Sequence, residues 1–348
     1  MITGMDRLRA ALAGTPCDRI PVFCNLLDQG AREMGMSLAE YYANPVSVAE
    51  AQLLMRARYG YDNLWSLFFV GKEAEFFGCR EFLFAEDGPP NVAEYVLKEW
   101  DDIRRLEVPE DVAGHPAFAP VAESIRILRK ATHGRQPICA YVTAASCLPV
   151  LLMGMESWME LLMMGPVDLR DELLAKCSLF FARAVAAYRA AGADVLVYST
   201  PFGSLDMATP KLFRNVIMPS MVRDLAPVGT AGVVYYAGSA RITRVVEAVI
   251  EQLGITCFYL SPLEDVAAAK ALIGGRGLTC GVINDIEMVH WSEQRVREET
   301  ARIVDAGTPG GRFLFGTVVM PMAIPEANIR AMLETACERG RLDHRGAR

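Results

Sequence analysis

Asp168–Ser199 reads DLRDELLAKCSLFFARAVAAYRAAGADVLVYS, and the fold can be read outward from it. Asp168–Ala190 carries helical spacing, Ala191-Gly192-Ala193 is a stop signal, and Asp194–Ser199 is a short apolar run. Glycine just past the last periodic residue ends a helix because it enters the left-handed region without a Cβ clash. A short run that is apolar nearly throughout marks a parallel strand covered on both faces.

The same alternation recurs along the chain. It predicts strands at Pro21–Asn25, Asn63–Val70, Ile138–Thr143, Asp194–Ser199, Gly232–Ala237, Thr256–Leu260, Leu278–Ile283 and Arg312–Thr317. Helical patterns lie between them, at Pro45–Tyr59, Ala119–Thr132, Asp168–Ala190, Ile242–Leu253, Glu264–Leu272, Ser292–Ala306 and Pro325–Arg339. Asn44 before Pro45, and Ser292 before Glu293, are start signals: a side-chain oxygen accepts from an orphan N–H of the first turn. Strands alternating with helices in this number predict an α/β fold, a (β/α)8 TIM barrel with extra N-terminal helices. A doubly wound open sheet would carry a Gly-rich fingerprint after the first strand, and none is present. Gly274-Gly275-Arg276-Gly277 and Gly307–Gly311 precede strands, so they read as turns at the bottom of the barrel rather than phosphate loops.

Phe76–Pro109 breaks the rhythm. Its Asp87-Gly88-Pro89-Pro90 is a strong turn, which predicts a hairpin excursion after the second strand. Such an excursion covers part of the mouth or supports a homodimer contact. With no linker in view, residues 1–348 read as one domain.

Composition sets the outer limits. The 348 residues are 52% hydrophobic, enough to bury a large core without disulfides. A formal net charge of -7 without a basic run argues against nucleic acid as a partner. No apolar stretch approaches the roughly 18 residues of a membrane span. The opening MITGMDRLRAALAG reads as an amphipathic helix without a signal core, and the nine cysteines form no CxxC pair. Both point to a cytoplasmic protein with free thiols.

In such barrels chemistry gathers where strands end. Asn25 ends the first predicted strand, which leads to Asp28 and Gln29. Tyr141 and Ser146 belong to the third, with Cys147 beside them as a buried thiol. The fourth ends with Tyr198 and leads to Thr200 and Asp206, the fifth holds Tyr235 and Tyr236, the seventh leads to Asn284 and Asp285, and the eighth ends at Thr317 with Met320 after it. Asp28, Tyr235 and Asn284 are the candidates for catalysis; the others are candidates for substrate binding. Asp28 alternatively caps the helix near Ala31, Asp285 caps the turn after it, and Tyr235 lines the pocket only if its face of the strand points inward. The four histidines sit near helix ends or in the tail. No HxxxH, HxC or CxxC spacing is present, so no metal site is predicted. The methionines Met153, Met155, Met159, Met163, Met164, Met320 and Met322 read as core packing, or as a soft ligand lining.

Several stretches together resemble the uroporphyrinogen decarboxylase superfamily over nearly the whole chain. They are DRIPVFCNLLDQGAR (18–32), YDNLWSLFFVGKEAEFFGC (61–79), EDGPP (86–90), AGADVLVYSTPFGS (191–204), TPKLF (209–213) with Pro219, VVYYAG (233–238), FLFGT (313–317) and IPEANIRAML (324–333). That superfamily includes corrinoid-linked methyltransferases. In its zinc-dependent methyltransferases an HxC pair matches Tyr235-Tyr236-Ala237, and a later Cys matches about Thr317. In its decarboxylases an Arg-rich stretch matches Asp28-Gln29-Gly30-Ala31-Arg32, a key Asp falls within Leu67–Phe69, and a late His falls near Thr317. This chain departs from both patterns. The resemblance therefore implies a methyl transfer between a corrinoid protein and a small non-thiol substrate without zinc. Tetrahydrofolate, an aryl methyl ether and a methylated amine are the substrates in view. A carboxy-lyase and a catalytically silent barrel that binds a cofactor or a corrinoid protein are the alternatives.

Overall fold

The computed structural model describes residues 2–85 and 90–342. Most of the predicted Asp87–Pro90 turn, and His344, lie outside the described residues. The strands are β1 (Leu64–Trp65), β2 (Phe82–Leu83), β3 (Asn91–Val92), β4 (Ile138–Thr143), β5 (Val195–Ser199), β6 (Val233–Tyr236), β7 (Cys257–Tyr259), β8 (Leu278–Val282) and β9 (Phe313–Gly316). Seven of them form one sheet in the order β1-β4-β5-β6-β7-β8-β9, every neighbouring pair parallel. Helices separate consecutive sheet strands, so the curled sheet is TIM-barrel-like. β2 and β3 stand apart as an antiparallel pair.

Two of the expected strands shrink. Pro21–Asn25 makes a single parallel bridge, Val22 to Phe315, and the expected Asn63–Val70 keeps only β1. Side chains take over the ladder there. The Cys24 N–H donates to Asn63 Oδ1 at 2.8 Å and the Asn25 N–H to Thr317 Oγ1 at 2.9 Å. The Leu67 N–H donates to Ser124 Oγ at 3.0 Å, which turns the chain away from the sheet. Backbone bonds still link both edges through this segment: Phe23 N to Phe315 O, and Asp62 N to Val22 O, each at 2.8 Å. It thus lies between β1 and β9 and joins the ends of the curl.

The helix signals are local and act locally. Asn44 Oδ1 accepts from the Val46 N–H at 3.0 Å and Ser292 Oγ from the Arg295 N–H at 3.3 Å. The helix Val167–Ala191 ends on Gly192 at φ 106°, where any side chain would be strained. Preceding the sheet are α1 (Gly4–Ala13), α2 (Gln29–Met34), α3 (Leu38–Ala43) and α4 (Pro45–Tyr59). No helix is long and apolar enough to cross a membrane, among the described residues.

α1 packs across the N-terminal ends of the strands. Its Leu8 and Leu12 line a cavity of about 410 Å3 with Cys139, Val197, Val234 and Leu314, and the walls are mostly apolar, apart from Asp194, Thr230 and Thr256. The Tyr198 and Tyr235 hydroxyls bond Asp224 and the Gly203 carbonyl on the helix side, and this fixes which strand residues face inward, because alternate residues share a face. Cys139 and Tyr141, Val197 and Ser199, Val234 and Tyr236, and Leu314 and Gly316 point into the barrel. Tyr198, Tyr235, Phe258 and Phe315 point outward to the helices.

Candidate active site

At the C-terminal ends of the strands the inward face is aromatic. Trp65 stacks on Tyr141 with centroids 4.9 Å apart, and Phe68 covers Tyr141 at 4.7 Å. Tyr141 meets Tyr236 at 6.0 Å, and Tyr236 meets Tyr259 edge-on at 5.9 Å. Gly316 makes room for this ring: a Cβ there would stand 2.6 Å from the Tyr259 hydroxyl. Phe68, Ser199 and Tyr236 keep partial exposure, so the wall opens to solvent at the strand ends.

Polar groups are set into this wall. Asn25 Nδ2 donates to the Tyr141 hydroxyl at 3.2 Å, which leaves the phenol proton free to be donated elsewhere. Asp285, in the turn after β8, is 1% exposed, and its Oδ2 has no hydrogen-bond partner. Burial pushes its carboxyl up to about 7, against the pull of the Asp285, Ile286 and Val318 N–H groups. Its charge in turn adds to the burial that raises the Tyr141 and Tyr236 phenols.

Asp28 stands at the rim. It occupies the N-cap position of α2 yet makes no side-chain cap bond, so capping does not explain it. Instead the Tyr42 hydroxyl donates to it. Burial pushes the carboxyl up to about 6, and the Tyr42 bond lowers it by less. Neither Asp28 nor Asp285 forms an ion pair among the described residues.

The remaining predicted residues divide by role. Gln29 Nε2 donates to the Met320 and Pro321 carbonyls, each at 2.8 Å, and clamps the loop after β9. Met320 is buried with its Sδ 3.6 Å from Cys24 Sγ, so it packs rather than lines the mouth. Thr317 holds Asn25 through the bond already given. Asn284 caps its own turn, its Oδ1 accepting from the Glu287 N–H at 3.3 Å. Asp206 accepts from the Arg241 N–H at 3.0 Å and joins two loops at the surface.

Three candidates face the helices instead of the mouth. The Tyr235 hydroxyl donates to the Gly203 carbonyl at 2.6 Å beside Met221. The Tyr198 hydroxyl donates to Asp224 at 2.7 Å, and the Thr200 hydroxyl lies 3.6 Å from Met221 Sδ. They belong to the opposite face of their strands, and the expectation that Tyr235 lines the pocket is corrected to Tyr236. Ser146 is fully buried, with Oγ 3.7 Å from Cys147 Sγ; burial pushes that thiol up to about 11. The methionines also split: Met153 and Met320 are buried, whereas Met155, Met163 and Met164 are exposed.

Trp65, Phe68 and Tyr259 were not singled out by the sequence, yet Phe68 completes the wall, and Trp65 and Tyr259 back it while also lining the N-terminal cavity. The signal for Tyr259 was its register, since it pairs with Tyr236 across β6 and β7. Phe68 falls in the stretch where decarboxylase relatives are expected to carry an Asp. The zinc pattern fits this chain no better. Tyr235 points away from the mouth with its hydroxyl engaged, Ala237 offers no donor, and Thr317 holds a backbone N–H. No group of three or more His, Cys, Asp or Glu suited to a metal ion occurs among the described residues.

A parallel, curled sheet with polar groups set at its strand ends defines a TIM-barrel-like scaffold of the enzyme type. Residues 3–339 match the family model described as uroporphyrinogen decarboxylase (URO-D), and the chain belongs to that family. It is 24% identical over 287 residues to the methylcobamide:CoM methyltransferase MtaA of Methanosarcina barkeri, covering 80% of this chain and 81% of that protein. It is 22% identical over 341 residues to methylcobamide:CoM methyltransferase MtbA of Methanosarcina acetivorans, covering 96% and 97%. The fold is shared with a solved methyltransferase from Methanosarcina mazei at a TM-score of 0.83 and 20% identity, over 97% of this chain and 99% of that one.

Proposed function

We propose that this chain is a corrinoid-linked methyltransferase. It exchanges a methyl group between a corrinoid carried by a partner protein and a small non-thiol substrate, and it does so without zinc. The observation that carries this is the composition of the mouth. Relatives of the family are named as methyltransferases acting on CoM. Here the positions matched to the zinc ligands are Tyr235, Ala237 and Thr317, and the inward wall holds Asn25, Tyr141, Tyr236 and Asp285.

Zinc serves a thiol by lowering its pKa, so a chain without the ligand set suits a substrate that reacts through nitrogen or oxygen. Methyl transfer at those atoms requires a proton to be placed or removed, or a positive charge to be held. Asp285 and Asp28 ionise near neutrality, so each can exchange a proton or carry the counter-charge. Tyr141, oriented by Asn25, donates a hydrogen bond to the substrate. Tetrahydrofolate, an aryl methyl ether and a methylated amine fit this description. The barrel acts as one domain over the whole chain. A porphyrinogen, with its many carboxylates, needs cationic walls, and Asp28 and Asp285 carry the wrong sign.

The test is methyl transfer to a reduced corrinoid protein, followed by the absorbance of its corrinoid across a panel of methyl donors, together with metal content of the purified protein. Turnover with a non-thiol donor and substoichiometric zinc are expected. Tightly bound stoichiometric zinc with coenzyme M as the working acceptor overturns the proposal, and conversion of uroporphyrinogen to coproporphyrinogen establishes the lyase instead.

A further inference from the structure

We infer that the small substrate is a cation, a substituted ammonium compound, held at the mouth against the ring of Tyr236 and the carboxylate of Asp285. This rests on the methyltransferase reading and names the substrate class of the same site.

Three observations converge on one place. Asp285 is enclosed, with Oδ2 unpartnered, and among the described residues no Lys or Arg forms an ion pair with it. A buried carboxylate without a counter-charge is costly, and such a group is normally paired or metal-bound. Tyr236 stands on the inward face at the end of β6 and keeps partial exposure, and the Asp285 charge adds to the burial that raises its phenol; Tyr141, 6.0 Å away, backs it with its own faces covered by Trp65 and Phe68. Trp65, Phe68 and Tyr259 extend that wall on either side. Aromatic faces attract a cation through the ring quadrupole, and rings gathered about a substituted ammonium give it an apolar fit to its methyl groups as well.

A neutral aryl ether stacks on such a wall but leaves Asp285 uncompensated. A folate offers N–H donors to the carboxylate, but its glutamate tail adds negative charge next to Asp285 and Asp28. Only a cation satisfies the rings and the carboxylate together. Asp285 and Tyr236 are thus specificity-determining residues for charge.

The experiment compares choline with 3,3-dimethylbutan-1-ol, its neutral isostere, by isothermal titration calorimetry on the full chain without a corrinoid partner. Tetramethylammonium, methoxybenzene and 5-methyltetrahydrofolate are parallel arms. Choline is expected to bind at least tenfold more tightly than the isostere. Asp285→Asn is expected to remove most of that preference, and Tyr236→Leu to reduce it severalfold, with thermal melts establishing that both variants fold. Equal affinity for the two probes, no binding of either cation, or a preference unchanged in Asp285→Asn overturns the inference. Corrinoid methylation by methoxybenzene or 5-methyltetrahydrofolate would then leave the methyltransferase reading standing while the cation falls.

Discussion

Asp62 and Asp285 are equally buried, each 1% exposed, at opposite ends of one barrel. Asp62, at the N-terminal end, is fully matched. Arg7 reaches it at 2.8 Å, Arg19 at 2.5 and 3.0 Å, and the Val22 N–H donates to it at 2.8 Å. It ties α1 and the segment before β1 into the sheet. Asp285, at the C-terminal end, has among the described residues neither an ion-paired arginine nor a hydrogen bond to Oδ2. The same residue type under the same burial is a fastener at one end and an unpaired charge at the other. Stability concentrates where the carboxylate is paired, and the unpaired one is left available to a ligand.

Asp62→Asn cuts the fastener and is expected to have the largest effect. Two half-buried arginines lose their anion, and breaking a buried pair costs about 3–5 kcal/mol. Chemical denaturation should show that loss in the midpoint; a change below about 1 kcal/mol would mean that Asp62 is no fastener.

Asp285→Asn should do the reverse at the other end. Methyl transfer is expected to fall about a hundredfold, a loss of roughly 3 kcal/mol in transition-state stabilisation. The variant should also be more stable at pH 8, by on the order of 1–4 kcal/mol, since a charge that burial disfavours is gone. The sign follows from a folded-state pKa of about 7 lying above the ordinary 3.8. For such a carboxyl the stabilising contribution is complete below pH 4 and is lost as pH rises through 7. Thermal melts of both proteins from pH 4 to 8 should therefore converge at the acid end. A gap that widens toward acid would contradict an unpaired Asp285.

Tyr141→Phe removes the phenol proton and leaves the ring in place. Steady-state kinetics should show about a tenfold loss in kcat/KM with the fold intact, the usual scale for one hydrogen bond to a substrate. Tyr235→Phe sharpens the contrast between the two faces of β6. It removes one buried bond to the Gly203 carbonyl, so stability should drop by about 1 kcal/mol while kcat/KM holds. A fall in activity without a fall in stability would return Tyr235 to the mouth.

Much of the fold was legible in the chain. The limits of α4 and of the helix Ala119–Thr132 follow from Asn44-Pro45, Gly60 and the apolar spacing, because caps and periodicity are local. β4 is read to the residue for the same reason. Pro21–Asn25 and Asn63–Val70 were legible as apolar runs but not as bridge and short strand. Whether Asn63 and Thr317 side chains replace a ladder depends on neighbours distant in sequence. Of the candidate site, Asn25, Tyr141, Tyr236 and Asp285 were legible as residues at strand ends, whereas Phe68 and Trp65 were hidden inside an apolar run.

What the sequence determined by itself is the alternation of helices with short apolar strands and the set of residues at their ends, since both rest on near-neighbour chemistry. Only the tertiary structure decided which face of β6 points inward, so that Tyr236 meets the mouth and Tyr235 meets the helices. A parallel strand is covered on both sides, so its apolar pattern does not distinguish the two faces. Only the tertiary structure decided, too, that Arg7 and Arg19 converge on Asp62 while, among the described residues, no Lys or Arg pairs with Asp285. Charge pairing depends on what the fold brings within a few ångströms, and no local pattern records it.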